Sequence, residues 1–400
     1  MAKKGLRVCM TTQEYPPMFW GGLARAVRRV ALFVADMGWE VHVANLYEDQ
    51  TPPGLLDEIV ESSNEDGLMV HRVRIGREGD PPRKTLWDSP NDLSIRLMHL
   101  SLERLHRKHE FDVFHVFFLY PIGYVAALLA DAYQKDLIVS IRGNDINQYI
   151  FGPEKAPLIR TTLRRANLVT SVAQDLLVKA ETLTPVMDKS RIIFNSIPSP
   201  DGPSPVADIP GLQGPVIGTV GLFKGSKGLP YLLRAFQEIR QGRRSSLLVV
   251  GDVREMERKI QNRYFSRFGS EGVHVTGPVP HESIGSYLRR MDVFVLPSLS
   301  EGCPNVLLEA MASARPIVAT RTGAVSDMIR DGESGILVDP GDSSQLSKAI
   351  LYMLDHPDKA LAMGQRASQR VSDFSPDRER QAWRSVYDGI REGWNGVDMN

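Results

Sequence analysis

Short apolar runs rich in β-branched residues alternate with longer helical stretches, and this alternation occurs twice along the chain. The first series has seven strand-like runs: LRVCMTT, EVHVANL, GLMVHRVRI, FDVFHVF, DLIVSIRG, ANLVTSV and RIIFNSI. The second series has six: PVIGTVG, SLLVVGD, VHVTG, DVFVLPS, PIVATRT and SGILVDP. Strands that alternate with helices predict parallel, doubly wound sheets with right-handed crossovers. The pattern therefore predicts an α/β protein with two such domains.

The boundary between the two series is marked by NSIPSPDGPSPVADIPGLQGP, which is dense in proline and glycine and is typical of a linker. We place the first domain at residues 1–198, the linker at 199–214 and the second domain at 215–376. The last helical run lies in residues 377–400, which we expect to pack back on the first domain. Because ligands of such sheets bind beyond the carboxyl ends of the strands, two domains that face each other would form a central cleft.

The composition limits the classes of function. The chain has 48 basic and 48 acidic residues, a formal net charge of zero, which does not favour nucleic acid as a partner. Cys9 and Cys303 show no metal-ligand spacing, and no secretory signal is visible, so we expect a reduced, cytoplasmic compartment. The longest apolar stretch contains Asp112, His115 and Pro121, which favours a strand followed by a helix over a membrane span.

Some surface segments of the first domain could meet a partner. The acidic residues 47–67 and the proline-rich residues 76–92 are predicted to be loops. The basic run LIRTTLRRA and the amphipathic run DLSIRLMHLSLERLHRKH could meet anionic lipid, so peripheral contact at the inner face of the membrane stays open. Acidic and basic residues balance within residues 1–198, which gives this domain no net attraction to such a surface.

The stretch LPSLSEGCPNVLLEAMASARP (296–316) raises the main chemical question. Gly302 and Pro304 turn the chain after a strand, proline suits the first position of a helix, and NVLLEAMASA is predicted to be that helix. Glu301 is explained as an acid near a helix N-terminus. Glu309 lies in an apolar helix, where an unpaired carboxylate would cost several kcal/mol. A nucleotide diphosphate, with phosphate on the first helical amides and ribose hydroxyls on the Glu309 carboxylate, would satisfy both the helix start and this carboxylate, and a structural acid is the alternative.

Two glycine-containing turns are further candidates for phosphate binding. Gly21 and Gly22 lie between the first strand and its helix, where glycines let a backbone aim amides at a ligand. Lys224 and Lys227 lie in the turn that follows PVIGTVG, and lysine is a good point charge for a diphosphate. The alternatives are a plain turn for the glycines and solvated side chains for the lysines.

Polar residues on two strands of the first domain are candidates for the cleft. His115 lies within FDVFHVF, where a buried histidine is more often a core residue than a catalyst. Its place near the carboxyl end of the strand keeps the catalytic alternative open. Arg142 and Asp145 follow the next strand at the equivalent level, where charged residues more often line a cleft than fill a core.

Together these features resemble the retaining glycosyltransferases of family 4, which have the GT-B architecture of two Rossmann-like domains facing a central cleft. The strongest part is residues 273–342, which contain E-x7-E, the preceding P-S and the following G-x-L-V-x-P-x-D. The looser matches YPPMFWGGLARAV, IRGNDI, RIIFNS and KGLPYLLRA extend the resemblance over nearly the full length.

The resemblance implies a role for each matching residue. Glu309 would bind the donor ribose and Glu301 would contact hydroxyls of the transferred sugar. The amides of Asn305 and Val306 would meet the diphosphate, together with Lys227. No metal or other cofactor is expected. The complete set of expected site residues comprises the catalytic candidates Glu301 and His115 and the donor-binding candidates Gly21, Gly22, Arg142, Asp145, Lys224, Lys227, Gly302, Pro304, Asn305, Val306 and Glu309.

The chain departs from the family pattern in both domains. The family usually has arginine where this chain has Leu222; Lys224 could replace its charge but not its bidentate geometry. The family often carries H-x-H on the strand of His115, and the second position here is Phe117. The usual HG after the next strand is replaced by Arg-Gly at 142–143.

The resemblance implies a retaining, metal-independent transfer of a hexose-type sugar from a UDP- or GDP-sugar to a hydroxyl acceptor. The acceptor would be a lipid-linked molecule, a saccharide or a small molecule, in cell-surface glycan, glycolipid or small glycoside biosynthesis. Two other classes are kept as alternatives: a GT-B sugar-nucleotide epimerase, and a non-catalytic nucleotide-sugar binding protein.

Overall fold

The computed structural model describes residues 5–18, 21–47, 60–75, 92–198, 205–253, 255–268 and 270–393. The chain forms two compact units. The N-terminal unit comprises Met1–Ile193 and Glu379–Asn400, and the C-terminal unit comprises Phe194–Arg378. Within the described ranges, no helix has the length and apolar character needed to cross a membrane.

The N-terminal unit contains one eight-stranded sheet in the order β3-β4-β2-β1-β5-β6-β7-β8. Every neighbouring pair is parallel except β3 and β4, which are antiparallel. The strands are β1 Arg7–Thr12, β2 Glu40–Tyr47, β3 Val60–Glu65, β4 Leu68–Arg74, β5 Val113–Val116, β6 Asp136–Ile141, β7 Leu168–Ser171 and β8 Ser190–Ile192.

Strand β3 corrects one expectation, because it lies in the segment 47–67 that we predicted to be a loop. Asp66 and Gly67 join β3 to β4 and have φ values of 52° and 82°. Two consecutive residues with positive φ give a hairpin turn whose twist matches the strands, and Asp-Gly is a preferred pair for it. Residues 48–59 of that predicted loop, and all but the last residue of the predicted loop 76–92, fall outside the described residues.

Helices flank this sheet, and most follow a strand directly, as the alternating pattern predicts. The amphipathic run DLSIRLMHLSLERLHRKH forms one complete helix. The helices are α1 Gly22–Asp36, α2 Asp92–His109, α3 Tyr124–Tyr133, α4 Asn144–Asn147, α5 Ala156–Arg165 and α6 Gln174–Glu181.

The C-terminal unit contains a six-stranded sheet in the order β11-β10-β9-β12-β13-β14, and all neighbouring pairs are parallel. All six expected strands of the second series are confirmed. The strand order changes direction at β9, which lies between β10 and β12, and such a switch point is where doubly wound sheets bind ligands. The strands are β9 Val216–Val220, β10 Ser246–Val250, β11 Val273–Val275, β12 Val293–Leu296, β13 Ile317–Thr320 and β14 Ile336–Val338.

The helices of this unit complete the doubly wound arrangement. One buried apolar cluster packs helices of this unit against its sheet through residues such as Leu232, Val295 and Ile350. The helices are α7 Leu229–Arg240, α8 Glu255–Phe268, α9 Ile284–Arg290, α10 Asn305–Ala312, α11 Val325–Met328, α12 Ser343–Asp355 and α13 Pro357–Arg370.

The last helix, α14 (Pro376–Arg391), contributes to the core of the N-terminal unit. Trp383 and Tyr387 are buried in the same apolar cluster as Val27 of α1. Glu379 is almost fully buried, and its carboxylate accepts a hydrogen bond from Nε of Arg29 at 2.7 Å. An apolar stripe and a buried ion pair therefore attach this helix to α1.

Candidate active site

Helix α10 begins at Asn305. Pro304 lies immediately before this first helical residue, with φ −74° and ψ 108°, and not at the first position where we expected it. The buried face of α10 consists of Leu307, Leu308, Ala310 and Met311. Asn305, Val306 and Glu309 are half-buried and lie on the other side of the helix.

Glu309 lies at the edge of this helix and not in its buried face. Its side chain is 18% exposed, and Oε1 is 3.7 Å from Nε2 of His281. The expectation of a fully buried carboxylate was therefore too strong. The position still matches a ligand-binding role, because the carboxylate lies one turn along α10 from Asn305 and Val306.

Glu301 is the buried acid of the site, with 8% of the residue exposed. Its two carboxylate oxygens accept hydrogen bonds from Nζ of Lys227 at 2.7 and 3.0 Å. The hydroxyl of Ser298 donates to Oε1 at 2.6 Å. A carboxylate with a cation and a hydroxyl on one side is held in a single orientation, with its charge balanced.

Gly228 brings Lys227 to this carboxylate. It has φ +65°, and a Cβ at this position would lie 1.8 Å from the carbonyl oxygen of Pro297. The amide of Leu299 donates to the carbonyl of Ser226 at 2.7 Å. The turn after β9 therefore lies directly against the chain that leaves β12, and only glycine permits that approach.

The loop after β13 supports the other side of Glu301. Gly323 has φ +51°, and a Cβ there would lie 2.4 Å from the carbonyl oxygen of Glu301. The amide of Ala324 donates to the carbonyl of Gly302 at 2.8 Å. The hydroxyl of Thr320 donates to the carbonyl of Ser298 at 2.5 Å. The segment that carries Glu301 is thus held between two neighbouring loops.

Asn195 and Ser298 position parts of this site and were not among the predicted residues. Asn195 donates through Nδ2 to the carbonyl of Cys303 at 3.2 Å and to Oδ1 of Asn305 at 3.1 Å, and so fixes the turn that opens α10. Ser298 orients Glu301. Signals for both were present, because Asn195 lies in the matched run RIIFNS and Ser298 is the serine of the matched P-S.

Lys224 and Leu222 lie in the turn that carries Lys227. The amide of Lys227 donates to the carbonyl of Lys224 at 2.7 Å, which closes the turn. Lys224 is half-buried, and Leu222, where the family usually has arginine, is 43% exposed. An exposed position is compatible with the loss of the arginine, since leucine there displaces no buried polar contact.

In the N-terminal unit, Gly21 and Gly22 lie at the start of α1, beyond the carboxyl end of β1. β1 lies between β2 and β5, which is the switch point of this sheet. A Cβ on Gly21 would lie 3.1 Å from Oε2 of Glu14. The glycines therefore lie at the switch point of the N-terminal sheet, where doubly wound sheets bind ligands.

His115 is fully buried in β5, and both ring nitrogens are used. Nδ1 is 2.8 Å from the hydroxyl of Tyr387, and Nε2 is 2.8 Å from the hydroxyl of Ser140. Its ring stacks on Phe117, with ring centroids 4.2 Å apart. Burial, and to a smaller degree the charge of Arg142, lowers the pKa of His115 well below its usual value. This geometry favours the core alternative for the histidine.

Asp145 and Arg142 form part of the turn after β6. The Asp145 carboxylate is buried and accepts hydrogen bonds from the amides of Gly143 at 2.8 Å and Arg142 at 3.2 Å. Burial raises the pKa of Asp145 to about 6 despite these bonds. The guanidinium of Arg142 lies over the ring of Phe117, 4.9 Å from its centroid. The aspartate is thus used in shaping the turn.

The structure therefore brings together, in the C-terminal unit, the expected residues Lys227, Glu301, Gly302, Pro304, Asn305, Val306 and Glu309. The expected residues Gly21, Gly22, His115, Arg142 and Asp145 belong to the N-terminal unit. Within the C-terminal group, a charged pair, a helix N-terminus and a second carboxylate lie beyond the carboxyl ends of neighbouring strands, which is where doubly wound sheets bind ligands.

Two family models match the chain on either side of the unit boundary. Residues 21–193 match the glycosyl transferase 4-like domain, and residues 214–356 match the glycosyl transferases group 1. The chain belongs to the group 1 glycosyltransferases. It is therefore a transferase enzyme, and its curated relatives carry names of that class.

The relatives of this glycosyltransferase differ in how much of their length it spans. The glycogen synthase of Mycobacterium tuberculosis is 25% identical over 97% of this chain and 96% of its own length. The D-inositol 3-phosphate glycosyltransferase of Corynebacterium kroppenstedtii is 37% identical over 122 residues, which are 30% of this chain and only 27% of that protein.

Solved structures support the GT-B fold over nearly the whole glycosyltransferase. Sucrose-phosphate synthase from Thermosynechococcus elongatus has a TM-score of 0.81 at 20% identity, covering 97% of this chain and 100% of that one. Anabaena HepE in complex with UDP-glucose has a TM-score of 0.72 at 17% identity, covering 96% and 100%. At these identities the likeness shows the fold alone.

Proposed function

We propose that this glycosyltransferase is a retaining, metal-independent enzyme that moves a hexose-type sugar from a UDP- or GDP-sugar to a hydroxyl acceptor. The observation that carries the proposal is the Lys227–Glu301 pair, 2.7 Å apart, in the same group of loops as the N-terminus of α10. The bound UDP-glucose of Anabaena HepE supports a nucleotide-sugar donor. The acceptor is proposed only as a hydroxyl compound of a glycan, glycolipid or small glycoside pathway.

Each group of the donor would have a matching group in the C-terminal unit. The diphosphate would accept hydrogen bonds from the amides of Asn305 and Val306, where a helix N-terminus favours anions. The ribose hydroxyls would donate to the Glu309 carboxylate, whose side chain is 18% exposed. Hydroxyls of the transferred sugar would meet Glu301.

The ion pair gives Lys227 a part in both free and bound protein. Before the donor binds, Lys227 balances the charge of the buried Glu301 carboxylate. A diphosphate near the same ammonium would share that cation, which frees acceptor capacity on Glu301 for sugar hydroxyls. A protein ammonium and helix amides would then supply the charge stabilisation that a metal ion provides in other transferases.

The transfer itself would occur on one face of the sugar. The bond between the anomeric carbon and the diphosphate oxygen breaks, and a bond from the acceptor oxygen to the same carbon forms on that face. The leaving diphosphate takes the acceptor proton, so no separate protein base is needed. The contribution of the protein is then mostly positioning and electrostatic stabilisation.

Release of nucleoside diphosphate from a panel of UDP-, GDP- and ADP-sugars, with and without chelator, tests this proposal. We expect turnover of one donor class in chelator, with the anomeric configuration of the product retained by NMR. Glu309→Ala should weaken donor binding about 10- to 100-fold, as for loss of hydrogen bonds to a charged group. Glu333→Ala, which changes an exposed glutamate of the same unit, is the matched control.

Three outcomes would contradict the proposal. Turnover that stops when divalent metal is removed would argue against metal independence. An epimer of the donor in the absence of acceptor would indicate an epimerase. Tight donor binding without transfer to a broad acceptor panel would indicate a non-catalytic binding protein.

A further inference from the structure

Three histidines of the N-terminal unit converge at a place that the proposed transfer does not use. His42 lies on β2, His71 lies on β4, and His109 is the last residue of α2. One ring nitrogen of each lies within 4.8 Å of the corresponding atoms of the other two. His42 and His71 are buried, and His109 is half-buried. The sequence did not predict this cluster, because its members share no short spacing.

The inner nitrogens of the cluster face one another. Nδ1 of His42 is 2.9 Å from Nε2 of His71, so in the metal-free protein one of these nitrogens carries the shared proton. The ring of His109 lies 4.5 Å from that of His42 and 5.1 Å from that of His71, between centroids. Within the described part of the chain, the buried Nε2 of His109 has no hydrogen-bond partner. A buried nitrogen in that state calls for a physical reason.

The outer nitrogens have oxygen partners. Nε2 of His42 is 3.2 Å from one carboxylate oxygen of Glu40, and Nε of Arg7 donates to the other oxygen at 3.0 Å. Nδ1 of His71 is 2.8 Å from the hydroxyl of Ser62. Metal-binding histidines almost always have such a partner on the second nitrogen, because it fixes the tautomer and the orientation of the ring.

The surroundings keep these rings neutral at neutral pH. Burial is the largest cause for all three: it lowers the pKa of His42 and His109, and the pKa of His71 falls to about 3. The charges of Arg7 and Lys108 act in the same direction, and Glu40 opposes them. Neutral imidazoles keep the lone pairs that a metal ion requires.

We propose that His42, His71 and His109 bind one divalent transition-metal ion, with Zn²⁺ the preferred ion and a water molecule in the fourth position. Imidazole nitrogen suits zinc, copper and nickel, and three protein ligands with an open position are a common zinc arrangement. On binding, the proton of His71 would move from Nε2 to Nδ1, which would donate to Ser62. The proton of His42 would stay on Nε2, facing Glu40.

The position of the cluster indicates a structural role for the metal. His42 lies near the amino end of β2, where it is level with Cys9 of β1. His71 is level with Ala44 of β2 and so with Thr11 of β1, whereas Gly21 and Gly22 follow the carboxyl end of β1. The cluster therefore lies within the strands and not in the expected ligand-binding turn. The ion would join two strands to the end of α2, and it would stabilise the N-terminal unit without taking part in sugar transfer.

Zn²⁺ titration of the untagged, full-length protein tests the proposal. The protein is first stripped with chelator and freed of it, and Zn²⁺ is then added in competition with a chromophoric chelator. We expect one equivalent of tight binding in the parent and in His356→Gln, which changes an exposed histidine of the C-terminal unit. His71→Gln should lose this equivalent, and His109→Gln should bind at least 100-fold more weakly.

A second variant guards against misfolding of the ligand variants. Ser62→Ala keeps all three ligands but removes the outer partner of His71, and should weaken Zn²⁺ binding about 10- to 100-fold. Co²⁺ in place of Zn²⁺ should give visible absorption of a four-coordinate site with nitrogen ligands. Failure of the parent to bind one equivalent, or equal affinity in the parent and His71→Gln, would overturn the proposal.

Sugar-nucleotide turnover separates this site from the transfer site. Folded His71→Gln should keep the turnover of the parent in the presence of chelator, because the cluster is not part of the donor site. Turnover lost in parallel with Zn²⁺ in the parent would contradict the structural role assigned to the ion.

Discussion

The two units share a doubly wound parallel sheet but differ in where several buried polar groups lie along the strands. In the C-terminal unit, Lys227 and Glu301 lie in loops beyond the carboxyl ends of β9 and β12. In the N-terminal unit, His42 and His71 lie within the strands, and His115 is in the centre of the sheet. The groups proposed to bind ligand therefore lie in loops, whereas these histidines lie within the sheet.

Glu301 and the buried histidines also meet the cost of burial differently. The carboxylate of Glu301 is buried beside a cation and a hydroxyl, and hydrogen bonds from both stabilise it. The buried histidines have lowered pKa values because burial disfavours their charged form. A charged pair can exchange partners with an anionic ligand, whereas neutral rings are suited to fixed hydrogen bonds or a metal ion. Substitutions at Glu301 and its neighbours should therefore affect turnover, and substitutions of the buried histidines should affect stability.

The largest effect on turnover is expected for Glu301→Gln. The change keeps the shape of the side chain but leaves Lys227 without its carboxylate and removes the proposed contact with the sugar. We expect kcat to fall about 100- to 1,000-fold, comparable with the loss of one preorganised contact to the transition state. Steady-state turnover of the donor identified by the panel measures it, with Glu333→Gln as the control.

A double-mutant cycle with Lys227→Gln shows whether the pair acts as one unit. If the two residues work together, the double variant should be little worse than either single variant. Additive losses would mean that each side chain contacts the donor independently. Unchanged turnover in Glu301→Gln would remove the basis for contrasting the two units.

The next largest effect is expected for Gly228→Ala. Its φ of +65° is strained for alanine, and the added Cβ would lie 1.8 Å from a backbone oxygen. The strain and overpacking together should lower the free energy of unfolding of the C-terminal unit by about 2–4 kcal/mol. Gly242→Ala is the matched control, since it lacks positive φ and a Cβ there would have open space. Urea unfolding measures both.

The turn after β9 also carries Lys227, so the same variant tests donor binding. Donor affinity should fall in folded Gly228→Ala, and the melting of the N-terminal unit should stay unchanged. A variant as stable as Gly242→Ala would show that the two loops do not need their close approach.

A smaller loss is expected for Ser298→Ala, which removes the hydroxyl that orients Glu301. A hydrogen bond to a charged group contributes about 1.5–3 kcal/mol, so turnover should fall about 10- to 100-fold. Ser300→Ala is the control on the same loop, because within the described residues the Ser300 hydroxyl has no hydrogen-bond partner. Equal effects of the two changes would deny Ser298 a specific role.

Much of the fold could be predicted from the sequence because the strands of a covered parallel sheet are continuous apolar runs. Strand β3 was missed because VESSNE is polar and lies at the sheet edge. Its only local signal was the Asp66-Gly67 pair, which specifies a hairpin when the flanking runs are already known to be strands.

The candidate site could be predicted only as positions, not as contacts. Glu301 and Lys227 are 74 residues apart, and a chain pattern places both at strand ends without showing that they meet. Gly228 and Gly323 make that meeting possible through backbone approach, which no periodicity reveals. The histidine cluster was missed for the same reason: His42 and His71 are 29 residues apart, beyond the short spacings that mark most metal motifs.

The smallest effect concerns the pH dependence of the N-terminal unit, through His115. Burial lowers its folded pKa well below the unfolded value of 6.5, so the unfolded state binds the proton more tightly. Its contribution to stability is therefore complete above pH 6.5 and is lost progressively as the pH falls. For a histidine that stays neutral when folded, the loss between pH 7.5 and 5.5 is about 1.4 kcal/mol.

His115→Gln removes this titration but can still bond to Tyr387 and Ser140. Asp145, whose raised pKa of about 6 gives the opposite trend, is present in both proteins and cancels in the difference. Hydrogen exchange of peptides covering β5 and β6 at pH 7.5 and 5.5 measures the opening free energy of this unit alone. The parent should lose about 1.4 kcal/mol more than the variant on acidification, while peptides of β9 and β12 should show no such difference between the two proteins. Equal losses in the parent and the variant would mean that His115 is protonated in the folded unit, and that the sheet centre accepts charge as readily as the loops around Glu301.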